Sequence, residues 1–173
     1  MARKRILIIG ASILQLPAIL KARELGYYVG VIDYNPKAVG VPYADEFFEV
    51  STIDIEGVTK TALGFRPDGI MTLATDMPMR SIAAAATACG LPGISFETAV
   101  RATDKGEMIR AFERASVEHP WYFIINSVKE LEGNENGIAD KITYPCISKP
   151  TDNSGSRGVM LILNKDELLK LTE

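Results

Sequence analysis

Six residues near the carboxyl end have the types and spacing to hold an anion. Lys149 closes a short apolar run, and Ser154, Gly155, Ser156, Arg157 and Gly158 follow in a loop rich in Gly, Ser and Asn. Paired glycines let backbone N–H groups turn toward one point, the serine hydroxyls add donors, and Lys149 brings positive charge. Phosphate is the anion such a group suits. Arg157 can reach the anion or solvent. The order of residues excludes a Walker A loop, in which the lysine follows the glycines at the start of a helix. Here the lysine comes first and an apolar run, 159–163, follows the glycines. That order describes a β-hairpin whose glycine-rich tip folds down over phosphates from a base at Lys149. A second lysine, Lys105, falls in the first turn of an expected helix, 105–115, opened by Asp104. A cation there opposes the helix dipole, so it is either an ordinary solvated lysine or a ligand contact.

A second candidate group depends on how the amino-terminal half is built. Residues 5–9 form a β-prone apolar run, Gly10-Ala11-Ser12 is a turn, and apolar residues recur at helical spacing over 14–25 before Gly26. A second run, 28–32, ends at Asp33. This strand, turn, helix, strand unit opens a parallel α/β sheet. Further strands are expected at 46–50 and 69–73, with helices at 55–63 and 78–89, giving a doubly wound sheet. Ligands bind such sheets beyond the carboxyl ends of the strands, where Gly10, Ser12, Asp33, Thr75 and Asp76 cluster. Each also has a plainer reading. Gly10 suits a tight strand-to-helix turn, and Asp33 and Asp76 suit caps or turns. Gln15, polar within an apolar run, either reaches over the turn toward a ligand or faces solvent. A dinucleotide site is the alternative, because a glycine after the first strand and an acid after the second outline one. The turn Gly10-Ala11-Ser12-Ile13-Leu14-Gln15 carries one glycine of the three in GxGxxG, and the bulky Ile13 obstructs a pyrophosphate.

The rest of the chain reads as a capped helix from Ser95 to 100, a strand at 121–125, a helix starting at 127–131, a polar loop at 132–140 and a helix at 165–171. His119 lacks a catalytic partner in sequence and reads with Trp121 as a packing anchor. A net charge of −3, with the nineteen Lys and Arg residues scattered, argues against a nucleic-acid groove. Cys89 and Cys146 lie far apart in apolar surroundings, which suits buried reduced thiols in a cytoplasmic protein better than a disulfide or a metal site. The basic residues 3–5 before an apolar run imitate a secretory signal. Gly10, Gln15 and Pro17 inside the run, and the lack of a small-residue cleavage site, argue against it. No apolar stretch reaches the length of a membrane span.

Taken together, the segment from Tyr144 to Pro150, the loop from Ser154 to Val159, the pair Asp104-Lys105 and the opening Gly10 to Pro17 with Asp33 resemble the ATP-grasp ligases. The likeness covers the whole chain and is nearest the carbamoyl-phosphate-synthase-like and phosphoribosylglycinamide-synthetase-like members. It implies a Rossmann-like preATP-grasp domain over 1–103 and the first, incomplete part of an ATP-grasp domain over 104–173. It implies that Lys105 and Lys149 touch ATP phosphates and that Ser154, Gly155, Ser156, Arg157 and Gly158 close over them. The reaction implied is ligation of a carboxylate to an amine, with Gly10, Ser12, Gln15, Asp33, Thr75 and Asp76 near those substrates. The family's Mg²⁺ carboxylates lie beyond the flap, so neither a metal ligand nor a catalytic residue is expected in this chain, and the chain alone is expected to be inactive. The uncovered half-domain is expected to self-associate into a homo-oligomer or to be disordered near its carboxyl end. A non-catalytic nucleotide-binding module is the remaining alternative.

Overall fold

Side chains alternate between the two faces of a strand, so a strand that is apolar at every position needs cover on both sides. The strands β1 (Arg5–Ile9) and β2 (Tyr28–Asp33) approach that composition, apolar over 6–9 and at Val29, Val31 and Ile32, and occupy the centre of a parallel sheet. Its order is β3-β2-β1-β4, with β3 (Glu46–Glu49) and β4 (Gly69–Met71) at the edges. This is a computed structural model, and it describes residues 2–132 and 137–172. The chain divides into two compact units, Met1–Thr103 and Asp104–Glu173.

In the first unit Leu7 and Ile9 point to one face of the sheet. They pack with Ile32 against Val58, Ala62 and Phe65 of α2 (Ile55–Phe65) and Ile82 and Ala85 of α3 (Met79–Ala88). Ile8, Val29 and Val31 point the other way, against Ile19 and Ala22 of α1 (Leu16–Glu24). Helices on both faces make the sheet doubly wound. Gly30 is required by this packing, because a Cβ there would lie 2.7 Å from the Phe65 ring. The first helix starts at Leu16 rather than 14, since Gln15 and Leu16 N–H groups both donate to the Ser12 carbonyl in a turn. Ser95 does cap α4 (Phe96–Thr103), its Oγ accepting from the Thr98 N–H at 3.1 Å. That helix runs on to Thr103, whose hydroxyl donates to the Ala99 carbonyl at 2.8 Å and accepts from Arg80 Nε at 3.1 Å.

The second unit holds α5 (Lys105–Arg114), α6 (Val128–Glu132), α7 (Ile138–Lys141), the antiparallel pair β5 (Cys146–Ser148) and β6 (Met160–Ile162), and α8 (Lys165–Leu169). Its core is small: Leu131, Ala139, Ile162 and Leu168 are buried together. Three expectations need correction here. Residues 121–125 are extended but not a strand, because among the described residues no strand pairs with them, and a strand exists only by its ladder. They keep strand-like alternation, with Trp121, Phe123 and Ile125 exposed and Tyr122 fixed to α5 by a 2.6 Å bond to Glu113. The stretch 132–140 is not all loop, since Glu132 ends α6 and α7 begins at Ile138. Residues 133–136 of that expectation lie outside the described residues. The last helix stops at Leu169 and tightens into a 3₁₀ turn, Lys170–Thr172.

Candidate functional site

The strand order reverses between β1 and β4, and it is beyond the carboxyl ends of the strands at such a point that sheets of this kind bind ligands. Gly10 leaves β1 at φ +98°, a left-handed conformation that favours glycine, and donates its N–H to the Ile32 carbonyl at 2.7 Å. A Cβ there would also lie 3.0 Å from the Gln15 carboxamide. Asp33 is buried and fully used: one carboxylate oxygen accepts from the Ala11 N–H at 2.8 Å, the other from the Asn35 N–H at 2.9 Å.

Burial corrects the solvent-facing reading of Gln15. It is 3% exposed, so it does not face solvent, and its carboxamide bonds protein rather than standing free. Oε1 accepts from the Ser12 N–H at 3.2 Å and the Ser12 hydroxyl at 2.6 Å, while Nε2 donates to the Leu73 carbonyl at 2.5 Å. It therefore ties the turn after β1 to the loop after β4. The carbonyl it meets is remote in sequence, so no local pattern points to it. In the loop after β4 Ala74 has φ +56°, Thr75 Oγ1 accepts from the Met77 N–H at 3.4 Å, and the Asp76 side chain is exposed. Gly10, Ser12, Gln15 and Asp33 are thus brought together as one bonded turn, with Thr75 and Asp76 on the neighbouring loop.

In the second unit, β5 and β6 pair with Cys146 opposite Ile162 and Ser148 opposite Met160, forming the hairpin. Lys149 follows β5 directly and is exposed. The tip bends through left-handed residues, Gly155 at φ +66°, Ser156 at +58° and Gly158 at +74°. Gly158 packs so closely that a Cβ would lie 2.8 Å from the Pro150 ring. Arg157 Nε donates to the Ser154 carbonyl at 3.2 Å, and the Val159 N–H to the Ser156 carbonyl at 3.3 Å, so the tip is braced by its own bonds.

Lys105 meets this loop from the first turn of α5. Its N–H donates to the Thr151 carbonyl at 2.9 Å, and its Nζ donates to the Asn153 carbonyl. Asp104 caps the helix, Oδ1 accepting from the Glu107 N–H at 2.9 Å. The cation's unfavourable place in the dipole is offset by that carbonyl. Thr151 and Asn153 were not singled out in sequence, where they counted only as polar loop residues. Burial pushes the Cys89 and Cys146 thiols up, as expected of packed, unreactive cysteines. The His119 ring lies 2.9 Å from the Pro120 carbonyl and edge-on to Tyr122, a packing role. Among the described residues no three His, Cys, Asp or Glu side chains converge as a metal site.

This fold, a parallel α/β sheet followed by the hairpin unit, is that of the N-terminal part of ATP-grasp enzymes. No family model matches the sequence. The large chain of carbamoyl phosphate synthase from Pseudomonas syringae pv. tomato is 28% identical over 156 residues, covering 87% of this chain and 14% of that protein. The formate-dependent phosphoribosylglycinamide formyltransferase of Dechloromonas aromatica is 29% identical over 172 residues, covering 96% of this chain and 41% of that protein. Among solved structures, phosphoribosylglycinamide synthetase from Anaerococcus prevotii superposes with a TM-score of 0.71 at 26% identity, over 98% of this chain and 41% of that one. The L-amino acid ligase of Bacillus licheniformis shares the fold with a TM-score of 0.74 at 22% identity, over 99% of this chain and 42% of that one. The chain thus spans well under two thirds of the relatives it matches. It corresponds to the N-terminal portion of carbamoyl-phosphate-synthase-like and phosphoribosylglycinamide-synthetase-like ATP-grasp ligases. Nothing in these likenesses supports the dinucleotide alternative.

Proposed function

We propose that the chain is the N-terminal part of an ATP-dependent carboxylate–amine ligase, with its ATP-phosphate contacts on the β5–β6 hairpin. The observation that carries this reading is the braced glycine-rich tip between the exposed Lys149 and the α5 residue Lys105. Backbone N–H groups of a loop bent through three left-handed residues suit phosphate oxygens, and the two ammonium groups offset charge on a transferred phosphoryl group. The reaction joins a substrate carboxylate to an amine in two steps. A carboxylate oxygen attacks the γ-phosphorus of ATP and ADP leaves. The amine then attacks the acyl carbon and phosphate leaves. Substrate contact at the strand ends falls to Thr75 and Asp76, while Gly10, Ser12, Gln15 and Asp33 shape the wall beside them.

The Mg²⁺ that accompanies ATP is not assigned to residues here, since the described residues hold no converging acidic set, and no step is routed through it. We place the protein in the cytoplasm on its two free cysteines. Equilibrium binding of Mg·ATP by calorimetry tests the reading. Lys149→Ala is expected to weaken binding by about tenfold or more, the loss of one charge-assisted contact. Unchanged affinity, or preference for NAD over ATP, would overturn it.

A further inference from the structure

Lys105 holds the glycine-rich loop through both of its nitrogens, and the two bonds differ in kind. The backbone N–H to the Thr151 carbonyl, 2.9 Å, comes from the first residue of α5, so the folded helix holds this donor in place and leaves it no intrahelical acceptor to exchange for. The Nζ bond to the Asn153 carbonyl sits at the end of a flexible side chain and can be exchanged. Beyond Asn153 the tip is braced by Arg157 to Ser154 and by Val159 to Ser156, so it can move as a preformed piece. Thr151 is therefore a fixed end, Asn153 a releasable one, and Asp152 stands between them.

From this arrangement we infer that Lys105 is a positioning residue for the loop: without nucleotide its ammonium holds the Asn153 carbonyl, and a bound phosphate draws that ammonium away and frees the tip to close. The inference rests on the ATP reading of this loop given above. An ammonium has three donors and no acceptor, and it bonds a charged phosphate more strongly than a neutral carbonyl. Phosphate arrival and loop release thus share one side chain. A lysine that only touched phosphate would leave the resting loop indifferent to its replacement.

Hydrogen exchange read by mass spectrometry on peptides spanning 150–159 tests this in the absence of nucleotide. Lys105→Met keeps the length of the side chain and removes its donors. It is expected to speed exchange in the loop about tenfold, with α5 and the first unit unchanged as internal controls for folding. Lys105→Arg, which can still donate to the carbonyl, is expected to restore slow exchange. Equal loop exchange in the wild type and Lys105→Met overturns the inference, whatever ATP does. If Lys105→Met loosens the loop but the wild type binds no Mg·ATP, the holding role stands and the phosphate trigger is overturned together with the nucleotide reading.

Discussion

Asp33 and Gly10 carry the turn after β1 through contacts that tolerate little chemical change. Both oxygens of Asp33 accept backbone N–H groups, and an asparagine has only one oxygen to offer. Asp33→Asn is expected to cost about 1–3 kcal/mol, a buried donor left facing an NH₂, read as a lowered urea midpoint. Gly10→Ala is expected to cost about 2 kcal/mol or more from its left-handed φ and the crowding of Gln15. Wild-type stability in either variant would contradict these roles. The requirement for glycine at position 10 was legible because a strand, a turn and a helix follow one another there in sequence. The burial of Gln15 was not, since its partner Leu73 lies 58 residues away and a polar residue in an apolar run looks the same whether it is bonded or solvated.

At the level of elements, the hairpin presents an apolar face that the described residues leave uncovered. Ile147 and Leu161 stand directly opposite one another at 58% and 60% exposure, with Leu163 at 57%. Cross-strand apolar pairs left in water favour association. Leu161→Lys is expected to lower self-association in sedimentation velocity while leaving the melting temperature near that of the wild type. Unaltered association would remove the hairpin face as its cause. The 121–125 segment is held differently, by the Tyr122 phenol on Glu113. That hydrogen bond, with some burial, pushes the phenol above its ordinary value near 10. A raised folded-state value means the contact is intact below the ordinary tyrosine range and is lost as pH climbs through the raised one. Ultraviolet titration of Tyr122→Phe is expected to lose one late-ionising phenol. The same segment shows where pattern reading fails, because alternation supplies the faces of a strand but not the neighbour that makes it one. The short helix α7 was hidden for another reason: four helical residues beside glycines and asparagines are too few to set a period.

Across the whole chain, stability is unevenly shared. Both extensive cores, on either side of the four-stranded sheet, lie inside the first unit, whereas the second buries four residues in its cluster. Residues 1–103 expressed alone are expected to unfold in one cooperative transition, and 104–173 alone to show a shallow one, because a small core offsets little chain entropy. A non-cooperative first unit in circular dichroism would contradict that division. The sheet was legible because its two central strands, β1 and β2, are covered on both faces and read as nearly unbroken apolar runs. The loop chemistry was legible as composition, but the grip of Lys105 on Asn153 was not, since no spacing rule links a helix start to a carbonyl so far along the chain. The uneven layout also gives the molecule a built-in reporter. Trp121 is the sole tryptophan, more than half exposed, on the extended segment of the second unit. Indole fluorescence therefore reports from the second unit: a quencher in solution will reach it in the resting chain, and anything that settles on that segment will shift its emission to the blue.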